Sequence, residues 1–192
     1  MPRLILIDNL ENLNKNSVNA LLKIIEEPND NVFFILINNS EKYILPTLKS
    51  RCLTFKINFT FIQSMLVSNQ ILNDDIFNLI NYDLINFYST PGEIINLINF
   101  SNDKNVDLKS LTLINFLNLL IDNGYYKKNN NAKNILINFI ELFFLKRYQI
   151  SRTKKSILEL YQSFIIKINN TEKFNLDEES LFIEFKSKML NG

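Results

Sequence analysis

Arg51 lies in the run Ile44-Leu45-Pro46-Thr47-Leu48-Lys49-Ser50-Arg51-Cys52, on a short turn ahead of the apolar segment Leu53-Thr54-Phe55-Lys56-Ile57. A guanidinium is always charged, planar and rich in donors, so it suits a phosphate. An arginine presented from a protein edge can complete a nucleotide site on a neighbouring chain. Asp8 is the second residue of interest, because it closes the apolar run Leu4-Ile5-Leu6-Ile7. Open α/β sheets place their ligand chemistry outside the C-terminal ends of such strands.

Composition removes several other chemistries. The chain of 192 residues contains no histidine, which excludes Ser-His-Asp and Cys-His catalysis and the commonest metal ligand. The single cysteine, Cys52, excludes an internal disulfide and a cysteine zinc site, and fits a reducing compartment. The three glycines, Gly92, Gly124 and Gly192, are far apart, so the sequence holds no Gly-rich phosphate loop. A formal net charge of +1 gives no global attraction for nucleic acid or anionic membrane. Polar residues interrupt every apolar run, and the N-terminus has no signal-peptide pattern, so the sequence predicts a cytoplasmic protein with no membrane partner. Asn, Ile and Lys are over-used, which reads as base-composition bias.

The elements that position Asp8 and Arg51 are legible from hydrophobic period. Leu4-Ile5-Leu6-Ile7 and Phe33-Phe34-Ile35-Leu36-Ile37 read as strands buried on both faces. Between them, Val18, Leu21, Leu22 and Ile25 fall on one helical face, with Asn14 as N-cap and Pro28 as the stop. Strand, helix, strand predicts a βαβ unit on a parallel sheet, and residues 53–57 are expected to add a third strand. Beyond residue 59, helical spacing predicts helices over 61–72, 76–87, 92–98, 108–121, 132–148, 156–168 and 178–190, with Asn-rich joints at 101–106 and 123–131. The expected fold is α/β followed by all-α, mostly helical, in three parts: residues 1–58, 59–123 and 124–192. A three-stranded parallel sheet is too small to stand alone, so either the chain is a fragment or another polypeptide completes the sheet.

Order and spacing of these motifs resemble bacterial clamp-loader subunits of the AAA+ superfamily. Leu4-Ile5-Leu6-Ile7-Asp8 looks like a Walker B strand. Asn19-Ala20-Leu21-Leu22-Lys23-Ile24-Ile25-Glu26-Glu27-Pro28 looks like the family's signature helix. Residues 33–39 look like the sensor-1 strand with Asn39 at its polar position, and Ser50-Arg51-Cys52 ends the stretch by which the family is known. Ser89-Thr90-Pro91-Gly92 resembles the start of the sensor-2 helix, and Phe174-Asn175-Leu176-Asp177 the last part of the collar. The resemblance is strong to residue 57 and looser after it.

The resemblance implies that residues 1–58 are the C-terminal half of a AAA+ core, 59–123 a helical lid and 124–192 an oligomerising collar. It further implies a natural C-terminus and the loss of roughly the first third of a typical subunit. Asp8 would hold Mg²⁺ in an active relative, but the glutamate that activates water is here Asn9, and an amide cannot act as general base. Glu11 is a displaced stand-in. Glu93 stands where ATP-binding relatives commonly carry a basic residue. Asp8 and Asn39 then read as vestiges, Ser50 as a turn cap and Cys52 as a small packing residue. Arg51 remains as a finger reaching in trans to ATP–Mg²⁺ held by a neighbour, or as a salt-bridging, loop-capping arginine. The implied function is a non-catalytic stator in the DNA polymerase III clamp loader. Its partners would be the loader's ATPase (gamma/tau) and delta subunits, the sliding clamp indirectly, and primer–template DNA through the complex. No cofactor would bind this chain itself. A truncated ATPase motor subunit and a stand-alone helical scaffold are the alternatives. The basic pairs Lys127-Lys128, Lys146-Arg147 and Lys154-Lys155 read as DNA contacts or as solvated faces, and the apolar run from Ile135 to Leu145 as a private core or a surface buried between subunits.

Overall fold

The computed structural model describes residues 2–38, 44–127 and 129–190. The chain divides into two compact units, Met1–Asn58 and Phe59–Gly192. In the first, β1 (Arg3–Ile7), α1 (Lys15–Glu26) and β2 (Val32–Leu36) form the expected βαβ unit, and β1 and β2 pair in parallel with Leu4 opposite Phe33 and Leu6 opposite Ile35. Asn14 caps α1 by accepting the Ser17 N–H at 2.8 Å, and the helix ends before Pro28. Val18 and Leu21 on α1 are buried with Leu10 and with Leu48 of the short α2 (Pro46–Lys49) against the Ile7, Phe34 and Leu36 face of the sheet.

Two expectations for this unit do not hold. The strands are not buried on both faces: Leu4, Leu6, Phe33 and Ile35 stand on the opposite face at 45–66% exposure. Side chains alternate along a strand, and the unit supplies helices to one side alone. Nor do residues 53–57 form a strand. Leu53, Phe55 and Ile57 are 80–89% exposed, and the segment pairs with neither strand of the two-stranded sheet of the described residues.

The second unit is all-helical: α3 (Phe61–Leu72), α4 (Ile76–Leu79), α5 (Pro91–Lys104), α6 (Leu113–Asp122), α7 (Asn130–Ile150), α8 (Lys154–Phe174) and α9 (Glu178–Phe185), which runs on into a π-helical turn, Lys186–Leu190. The single helix expected over 76–87 breaks after Leu79 into a loop and a 3-10 turn, Tyr82–Leu84. The joint expected at 101–106 is narrower, since α5 continues to Lys104 and stops at Asn105. One buried cluster runs from Ile76 to Phe185 and crosses 123/124 without a break. Phe116 of α6 meets Phe139 of α7 edge-on at 4.8 Å, and Tyr126 meets Phe182 of α9 at 4.7 Å. Within α7, Ile135, Leu136, Phe139, Ile140, Leu142, Phe143 and Phe144 are all buried inside this unit, which makes the run a private core. Helix α3 departs from apolar-in patterning. Ser64 and Ser68 are its buried residues, Ser68 donating to the Ser64 carbonyl at 2.8 Å, while Ile62 and Leu66 face outward.

Asparagine serves where a chain richer in glycine would use glycine. Asn73, Asn105 and Asn175 terminate α3, α5 and α8 with φ of 50–53°. Asparagine tolerates the left-handed region better than other side chains, so part of its over-use is structural.

Asp83 ties the 3-10 turn to two helices. Its Oδ2 accepts the Leu113 N–H at 2.7 Å, and Lys146 Nζ donates to its Oδ1 at 2.7 Å and to its carbonyl at 2.5 Å. Burial alone would raise its pKa, but the Lys146 and Leu113 bonds outweigh burial and lower it. Hydrogen bonds from Lys167 and Lys188 hold Glu184 at about 2. Because both carboxylates titrate lower when folded than when unfolded, their stabilisation is present above the ordinary carboxylate range and is lost as pH falls below it, for Glu184 toward about 2. Asp83→Asn and Glu184→Gln are expected to flatten the acid limb of stability against pH in denaturant melts. An acid limb as steep as that of the wild type contradicts the assignment.

Candidate functional site

The arginine turn is built outward from Leu48. Pro46 opens α2 at its first position, where a missing N–H costs nothing. Leu48, 2% exposed, pins the helix beneath the sheet. Ser50 closes it: its N–H bonds the Pro46 carbonyl at 2.9 Å and its hydroxyl the Thr47 carbonyl at 3.0 Å. Cys52 is half-buried beside the same cluster, as a packing residue, and burial raises its thiol pKa.

Arg51 follows directly and folds back toward α1. Its Nε donates to Glu26 Oε1 at 2.5 Å, and Nη2 contacts the same oxygen. Nη1 donates to the Thr47 carbonyl at 2.9 Å, with the Ser50 hydroxyl farther away at 3.5 Å. The Arg51 and Glu26 side chains are 39% and 46% exposed. An ion pair this open contributes about 0–1 kcal/mol, so it orients the guanidinium more than it stabilises the fold. Glu26 is the site residue that motif reading did not single out. A signal was present: Glu26 and Glu27 sit in the last turn of α1, the end where the helix dipole disfavours carboxylates, so a cationic partner is expected there.

Among the described residues Asp8 is not bonded to Arg51. Asp8 ends β1 as expected, but its carboxylate accepts the N–H of Asn9 at 2.8 Å. Asn9 has φ 53° and turns the chain into a 3-10 segment, Leu10–Asn12. No group of acids or Cys52 forms a metal cluster among the described residues. Asn39 lies outside the described residues, as does Lys128. Asn38, just before Asn39, buries its side-chain oxygen without a hydrogen-bond partner among the described residues. In the second unit, Glu93 closes a capping box: its carboxylate accepts the Thr90 N–H at 2.7 Å and its N–H bonds the Thr90 hydroxyl at 3.3 Å. Asn138 donates to the other Glu93 oxygen at 3.1 Å. Each of the three basic pairs carries a carboxylate partner: Lys127 on Glu179, Lys146 on Asp83 and, at 4.0 Å, Lys155 on Glu159. No helix of the described residues is long and apolar enough to cross a membrane.

A parallel βαβ unit ending in an arginine turn, followed by an all-helical unit, is the arrangement expected of a partial clamp-loader subunit. Sequence relationships agree. Residues 2–60 match the family described as DNA polymerase III, delta subunit. The chain is 29% identical over 189 residues to the DNA polymerase III gamma subunit of Buchnera aphidicola subsp. Schizaphis graminum, covering 93% of this chain and 44% of that protein. It is 28% identical over 221 residues to the delta' subunit of Buchnera aphidicola subsp. Baizongia pistaciae, covering 95% of this chain and 62% of that protein. To the delta' subunit of Pseudomonas aeruginosa it is 42% identical over 50 residues, 26% of this chain and 15% of that protein. The chain is thus related to the clamp-loader subunits of DNA polymerase III, and it spans about half the length of the curated relatives it matches.

The half-buried position of Cys52 yields a direct check. With its pKa raised by burial, the thiol is expected to react with a neutral disulfide reagent more slowly in the folded chain than in urea. Equal rates in the two states would place Cys52 outside the packed cluster.

Proposed function

We propose that the chain acts as a non-catalytic, delta'-like stator of the DNA polymerase III clamp loader. In this reading residues 59–123 serve as lid and 124–192 as collar, and Arg51 reaches ATP–Mg²⁺ bound by a neighbouring ATPase subunit. The observation that carries the reading is Arg51 itself: a half-exposed guanidinium closing the Ser50-Arg51-Cys52 turn, at the end of a unit whose own hydrolytic residues are replaced or engaged elsewhere. Asn9 follows Asp8 where a water-activating glutamate would stand, and an amide cannot take that proton. Glu93 is committed to its capping box, and a carboxylate there would repel a γ-phosphate.

The similarity to gamma subunits keeps a second reading in view, a piece of an ATPase motor. That reading requires a phosphate loop encoded upstream of Met1 and ATP turnover by the chain itself. Asn9 and Glu93 weigh against it.

The test is Arg51→Ala in a loader reconstituted with this chain. Removing a finger costs on the order of 10³-fold in the rate of the site it serves. Single-turnover ATP hydrolysis at the adjoining site is expected to approach that loss, with the complex still assembled by size-exclusion chromatography. Turnover at the wild-type level would refute the finger.

A further inference from the structure

We propose that Glu26 is a positioning residue for Arg51: it holds one edge of the guanidinium so that the opposite edge is presented to a phosphate on a neighbouring chain. The inference rests on the finger reading above. A guanidinium carries five N–H bonds in a fixed plane. Glu26 Oε1 takes the edge formed by Nε and Nη2, and the Thr47 carbonyl takes Nη1 at 2.9 Å. The Ser50 hydroxyl, at 3.5 Å, lies beyond ordinary hydrogen-bond length. Among the described residues, what remains is one N–H on each Nη nitrogen, and a paired fork of this kind fits two phosphate oxygens.

The arrangement answers two problems of a long side chain. Arg51 sits on a turn and is 39% exposed, so a free guanidinium would sample many rotamers and lose entropy on every encounter. Anchoring Nε and one Nη to a carboxylate on α1 fixes the plane beforehand. The anchor is also an exposed pair, weak enough not to trap the guanidinium. Because Glu26 would touch neither nucleotide nor reacting atoms, its effect must pass through Arg51.

Glu26→Gln keeps the side chain's shape but removes the charge that holds Nε. In the reconstituted loader it is expected to lower the single-turnover rate at the site facing Arg51 about three- to tenfold, with the apparent KM for ATP changed by less than about twofold. In the isolated chain the Arg51 Nε–H resonance is expected to shift and to exchange faster with water. The double variant Glu26→Gln/Arg51→Ala should be no slower than Arg51→Ala alone. An unchanged or faster rate in Glu26→Gln, or a drop in KM showing that Glu26 competes with the phosphate, would overturn the proposal. If Arg51→Ala slows hydrolysis and Glu26→Gln does not, only the positioning role fails. If neither variant slows hydrolysis, the finger reading fails with it. Thermal melts exclude misfolding as the cause of a loss, and the Nε–H signal reads the contact independently of the neighbour.

Discussion

The placement of Arg51 depends on the burial of Leu48. It is the most completely buried side chain of the first unit, and it seats the four residues of α2 against the face of the sheet that α1 also covers. A helix this short has almost no stability of its own, because forming the first turn costs more conformational entropy than its hydrogen bonds return. Tertiary burial therefore fixes α2, and α2 fixes the turn after it. With Val18 and Leu21 in the same cluster, the end of α1 and the end of α2 converge, and Glu26 meets Arg51 across 25 residues of sequence. The charge pair is a consequence of that apolar contact.

The second unit obeys a different constraint. Its core is aromatic and continuous: Phe100, Phe116, Phe139, Phe143, Phe144, Phe164, Phe182 and Phe185 are all buried. Edge-on ring pairs Phe116–Phe139 at 4.8 Å and Phe100–Tyr125 at 5.4 Å link elements on either side of residue 123, and Tyr126–Phe182 and Phe143–Phe185 bring in α9, so α6, α7 and α9 pack as one body. Around this body, polar groups set the ends of elements. Thr60, Thr90, Thr112 and Asp177 cap helix N-termini with their side chains. Asp83 binds a 3-10 turn to both α6 and α7. Glu93 illustrates how a residue at a sensitive motif position can be absorbed by local structure, since both its carboxylate oxygens accept bonds, one from Thr90 and the other from Asn138.

Much of this was legible without coordinates. The period of Val18, Leu21, Leu22 and Ile25, the Asn14 cap and the Pro28 stop define α1, because cap chemistry and helical spacing act within a few residues. The apolar runs that became β1 and β2 were legible for the same reason. Motif order alone identified the relationship to clamp-loader subunits, and the order of Ser50, Arg51 and Cys52 on a turn held in the structure. The boundary missed in 76–87 lies where a loop is set by a distant contact, the Asn81 N–H on the Leu108 carbonyl, whereas at 101–106 the end of α5 is set locally, by Asn105 in the left-handed region and the Val106 N–H on the Ser101 carbonyl.

The sequence by itself determined most of the helices, the βαβ unit, the arginine turn and the absence of histidine chemistry, since these follow from residue type and short-range spacing. Only the tertiary structure decided which sheet face is covered, that residues 53–57 stay unpaired, that α7 is buried within its own unit, and that Glu26 holds Arg51. Each of these depends on surfaces meeting across long stretches of chain. Periodicity shows that a face is apolar, but what that face meets is settled by packing.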